Sequence, residues 1–63
     1  MTRDEVLTLM RSSKTESEWN TNCDRVKAAT RAGQCGPVSG DYPAYWFKDV
    51  IQSGLLSETK ATW

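Results

Sequence analysis

The sequence predicts an all-α fold: a small three-helix bundle built from a helical hairpin, an aromatic third helix and a short C-terminal helical turn. Three observations predict it. Capping boxes stand at Thr2-Arg3-Asp4-Glu5 and at Thr15-Glu16-Ser17-Glu18. Apolar residues recur behind each box at helical spacing. A breaker-rich segment, Gly33 to Gly40, then separates both from a third periodic run at Trp46, Phe47, Val50 and Ile51.

In the first element the Thr2 hydroxyl can accept the amide three residues on while Glu5 reaches back, and the acids there suit the helix dipole. Val6, Leu7, Leu9 and Met10 follow on a wide arc, so a helix is expected from about Thr2 to Ser12. Ser12-Ser13-Lys14 interrupts it. The second element carries the clearest stripe, Trp19, Cys23, Val26 and Thr30, and ends before Gly33, a residue suited to the left-handed position past a helix. So short a break between the two predicts an antiparallel hairpin. Asp41 is the expected cap of the third helix, with Pro43 tolerated in its first turn and Gly54 ending it. On that helix Tyr42, Tyr45 and Asp49 are expected opposite the apolar face. The last turn, from Ser57 to Trp63, is too short to persist unless Leu55, Leu56 or Trp63 docks on the rest.

Sixty-three residues make one domain, residues 1–63, with its glycine-rich loop at about 33–41. The expected core is Val6, Leu7, Met10, Trp19, Cys23, Val26, Trp46, Phe47, Val50, Ile51 and Leu55. A chain of this length buries only about 60% of the surface its unfolded form exposes, so stability is lean and association with a second copy or a larger partner is expected.

Function classes narrow by exclusion. Eight basic and eight acidic residues give a formal net charge of zero, against the cationic excess that supplies most nucleic-acid affinity. The chain has no His, which removes the commonest general base near neutral pH and any His-assisted nucleophile. Two cysteines without His cannot complete a four-ligand zinc site. Cys23 is expected as a small core filler, and Cys35 in the loop as a free thiol with no cation beside it in sequence. The glycine segment lacks the Gly-Lys-Ser/Thr ending of a phosphate loop. No catalytic residue, metal ligand or cofactor site is expected. Met1 to Glu5 lacks the basic region of a leader, which predicts a cytoplasmic protein of a compact genome, bacterial or phage, with no membrane partner.

Two functions from different classes stay open. The first is a non-catalytic protein-interaction module, a small regulator or inhibitor, with Tyr42, Tyr45 and Asp49 as contact residues. The tyrosines can equally pack against the glycine loop. The second is a nucleic-acid-associated protein with Arg25, Lys27 and Arg31 on phosphate. Val50 followed by Gly54-Leu55-Leu56-Ser57 looks in part like a helix-turn-helix, but the turn holds one extra residue before Ser57 and Lys60 is the sole cation after it.

Overall fold

A computed structural model describes all 63 residues. In chain order it holds α1 (Arg3–Arg11), α2 (Glu16–Arg31), two short strands β1 (Val38–Ser39) and β2 (Tyr42–Pro43), a π-helix (Phe47–Gln52) and α3 (Leu55–Lys60). The chain is mostly helical, at 60% of its residues, with four helices and a small two-stranded sheet.

The hairpin forms as its local signals dictate. Thr2 caps α1 with the full reciprocal box: its hydroxyl accepts the Glu5 amide at 3.1 Å and Glu5 accepts the Thr2 amide at 3.1 Å. At α2 only half of the box is made. Thr15 accepts the Glu18 amide at 3.1 Å, and the Glu18 carboxylate turns to the Thr15 hydroxyl instead. Gly33 ends α2 at φ +75°, where the Gly33 amide reaches the Thr30 carbonyl and the Gln34 amide reaches Ala29, the paired bonds of a Schellman motif. The α-amino group of Met1 donates to the Gln34 carbonyl at 2.6 Å, which sets the start of α1 beside the end of α2 and makes the hairpin antiparallel.

Ser13 fastens the other end of the hairpin. It is buried, its hydroxyl accepts from Asn22 Nδ2 at 2.9 Å, and the same amide reaches the Leu9 carbonyl at 3.2 Å. Fifty residues along the chain, the Trp63 indole donates to the Ser13 carbonyl at 3.2 Å. The C-terminal turn therefore folds back, as its brevity requires, with Leu55 buried beneath it.

Between the hairpin and the C-terminus the structure corrects the sequence reading in four places. The glycine segment is not wholly irregular: β1 pairs antiparallel with β2, Val38 opposite Pro43 and Ser39 opposite Tyr42, around a Gly40-Asp41 turn. Asp41 is thus a turn residue and not a helix cap. The third helix starts later and winds as a π-helix, with no side-chain cap at Trp46. Finally, Phe47 and Ile51 leave the core, at 62% and 46% exposed, while Trp46 and Val50 enter it. At about 100° per residue those four positions span about 140°, wider than one buried stripe on so small a body. Trp46 and Val50 share one end of that arc.

The core holds Val6, Leu7, Met10, Trp19, Val26, Ala29, Cys35, Trp46, Val50 and Leu55. Cys23 is only half-buried at its margin, whereas Cys35, expected in an open loop, is 6% exposed. Trp19 and Trp46 lie in the same buried cluster, which joins the hairpin to the second half of the chain; Phe47 takes no part.

Candidate interaction surface

The residues from Tyr42 to Ser53 carry most of the unusual chemistry, and they are held from three sides. Tyr42 stacks on Trp46 with ring centroids 4.4 Å apart and planes 15° from parallel. The Lys27 ammonium of α2 lies 5.4 Å from the centroid of the Tyr42 ring, within cation–π range. From α1, Arg3 Nε donates to Asp49 Oδ2 at 2.7 Å across 46 residues of sequence. From below the π-helix, the Ser53 hydroxyl donates to the Asp49 carbonyl at 2.7 Å and accepts the Leu55 amide at 3.3 Å.

This framework decides where the anticipated contact residues lie. Tyr42 and Tyr45 are half-buried and packed against the core. The Tyr45 hydroxyl is enclosed and finds no hydrogen-bond partner. Burial, with a smaller contribution from Cys35, pushes its pKa above the ordinary phenolic value. Asp49 is occupied by Arg3, whose hydrogen bond holds the carboxyl below the usual aspartate range.

Arg25 is set apart from Lys27 and Arg31, which stand four residues apart on α2 beside Tyr42 and Asp41. Lys27 is half-buried over Tyr42, and Arg31 makes a 3.8 Å exposed pair with Asp41. Arg25 borders an open groove of about 690 Å³ beside α1, in company with Asp4 and Glu5. The acids there offset its charge. The helix after Gly54 has six residues, too few to lie along a major groove as a recognition helix does.

No three His, Cys, Asp or Glu side chains come together as metal ligands. Burial raises the Cys23 thiol, more than the neighbouring Lys27 lowers it, so the nucleophilic thiolate is disfavoured. No helix is long and apolar enough to cross a membrane.

What remains on the surface is a ridge that the sequence reading assigned to the core. Phe47 and Ile51 stand four residues apart on the π-helix, both exposed, with the polar Lys48 and Gln52 beside them. Their anchors, Trp46 and Val50, are the immediately preceding residues and are buried. The signal that could have found the ridge is the width of the apolar arc itself. No protein-family model matches the chain, and neither a curated protein nor a solved structure does.

Proposed function

We propose that the chain is a non-catalytic protein-interaction module that makes contact through the Phe47–Ile51 ridge. The observation that carries this reading is the pairing of two exposed large apolar side chains with two buried ones on a single turn of helix. Such a ridge keeps its shape when it docks, because Trp46 and Val50 hold the backbone from inside. Tyr42 acts in the same sense by stacking on Trp46, and Asp49 by its bond to Arg3. Both support the contact from behind.

A second copy of the chain is the partner proposed. Zero net charge leaves no long-range repulsion between copies. Two residues one turn apart can also pair about a two-fold axis, Phe47 of each copy meeting Ile51 of the other. The two side chains leave roughly 200 Å² per copy to be covered. That is well below the roughly 800 Å² per partner of stable complexes, so pairing is weak and reversible.

Sedimentation equilibrium from ten micromolar to about one millimolar tests this. Association that rises with concentration in the wild type and is absent in Phe47→Asp supports it. Phe47→Asp keeps its helical signal because the side chain is already in water. A wild type that stays monomeric throughout removes the reading. The nucleic-acid alternative rests on Arg25, Lys27 and Arg31, and a salt titration of RNA and DNA binding decides it.

A further inference from the structure

The π-helix is the one element whose winding departs from what its own sequence encodes, and Asp49 is pinned on both sides of its backbone. Its carboxylate receives Arg3 of α1 at 2.7 Å, and its carbonyl receives the Ser53 hydroxyl at 2.7 Å. In an α-helix that carbonyl would take the amide of Ser53, four residues on; here the hydroxyl of the same residue occupies it. One turn earlier the winding is still α-like, since the Asp49 amide bonds to the Tyr45 carbonyl at 2.8 Å. Six residues of π-helix are unusual, as π geometry mostly appears as single-turn interruptions. Phe47 and Ile51 stand two residues before and two after the pinned position.

We propose that the Arg3–Asp49 pair is a latch that holds Phe47–Gln52 in the π register, and that its release lets the segment tighten to an α-helix and turn Phe47 and Ile51 relative to their buried anchors. The latch thereby regulates the display of the contact ridge, and in that respect it rests on the interaction reading above. Arg3 is a positioning residue, acting from the first turn of α1 on a side chain 46 positions away. The Asp49 side chain is 20% exposed and that of Arg3 is 53% exposed, so the pair is partly shielded but still open to competition by salt and by Asp4, 3.5 Å from the same guanidinium.

The register can be read directly by NMR on the wild type, Arg3→Ala, Asp49→Asn and Asp49→Glu at ten micromolar, where weak pairing is absent. Through-hydrogen-bond couplings in the wild type should link amides to carbonyls five residues back. In Arg3→Ala and Asp49→Asn they should link to carbonyls four back, with exchange of the amides from Val50 to Gly54 faster by up to about fivefold, the scale of a partly exposed ion pair. Asp49→Glu, which keeps the carboxylate, should retain the wild-type pattern. Protected α2 amides in every variant show that the fold has survived. A five-back pattern unchanged in both Arg3→Ala and Asp49→Asn overturns the latch. Sedimentation of the same proteins reads the ridge separately: a register change without any self-association leaves the latch standing and removes the interaction reading.

Discussion

The hairpin and the segment after Gly33 are built under different rules within one small core. In the hairpin each turn of helix is specified where it stands, by Thr2 and Thr15 as caps, by a periodic stripe and by Gly33 as a terminator. The second half has no capped long helix. Its two strands are two residues each and its helices six each, lengths that are not stable alone in water. It is held by reaching back: Arg3 to Asp49, Ser13 to Trp63, Lys27 to Tyr42. The hairpin is a template, and the rest is what fits on it.

That contrast is sharpest at adjacent residues. Trp46→Ala should be the most damaging change in the second half, costing about 3–5 kcal/mol for a buried aromatic. Net stability for 63 residues is about 3–9 kcal/mol, so this loss removes a third of it or more and should lower the urea midpoint in proportion. Phe47→Ala, one residue along, should stay within about 0.5 kcal/mol because the ring is largely solvated. Urea melts of the two variants measure both. Equal losses would mean that Phe47 is a core residue after all and that the two halves share one rule.

Asn22→Ala comes next and strikes the hairpin itself. It removes the donor to the buried Ser13 hydroxyl and to the Leu9 carbonyl, with an expected loss of about 1–3 kcal/mol. Because the Ser13 carbonyl also receives Trp63, the α3 amides should lose hydrogen-exchange protection together with the hairpin turn. Loss confined to α1 and α2 would show the halves to be less coupled than the geometry implies.

Much of the hairpin was legible because its information is local. The boundaries, the first capping box and the Gly33 stop all follow from residues within a few positions of each other. The docking of Leu55 and Trp63 was legible too, as the condition for a short terminal turn to persist. Phe47 and Ile51 were misread for a different reason. Periodicity marks a residue as apolar on a face, but which part of a wide face is covered depends on how much hairpin there is to cover it. Cys35 fails in the same way from the opposite side: flanking glycines signal a loop without saying that the loop lies on the core. Asp49 is bonded to Arg3, 46 residues distant, a pairing that no local pattern can carry. Tyr42 and Tyr45 were undecidable from spacing for want of knowing that β2 would turn Tyr42 onto Trp46.

Gly54→Ala tests the junction between the π-helix and α3 at smaller cost. Gly54 sits at φ +82° with nothing within 4 Å of an added Cβ, so the penalty is backbone strain alone, about 1–2 kcal/mol. Gly54→Asn should recover part of it, since Asn tolerates the left-handed region better than Ala. A thermal melt in which both variants match the wild type would mean that the junction adjusts freely and that α3 is not fixed by this turn.

The gentlest perturbation is acid, and it compares the halves without a change in volume. In the hairpin, Glu5 is held below the ordinary glutamate range, first by the Thr2 backbone amide and then by its side chain. In the second half, Asp49 is held down chiefly by the Arg3 hydrogen bond, with Lys48 a minor aid. A depressed folded-state pKa means that the unfolded chain binds protons first as pH falls, so stability rises with pH through that window. Both contributions are whole above about pH 5 and disappear as pH drops through about 4 and below. Burial raises Tyr45 and Cys23, so their contributions have the opposite sign and fade above about pH 8.5 for the thiol and about 10 for the phenol. The melting temperature should therefore be flat between about pH 5 and 8 and fall on both sides. Glu5→Gln and Asp49→Asn should each flatten part of the acid fall. If Asp49→Asn leaves that fall intact while Glu5→Gln removes it, the carboxylate of Asp49 adds nothing to the attachment of the second half, and packing of Trp46 and Val50 holds that half in place without help from α1.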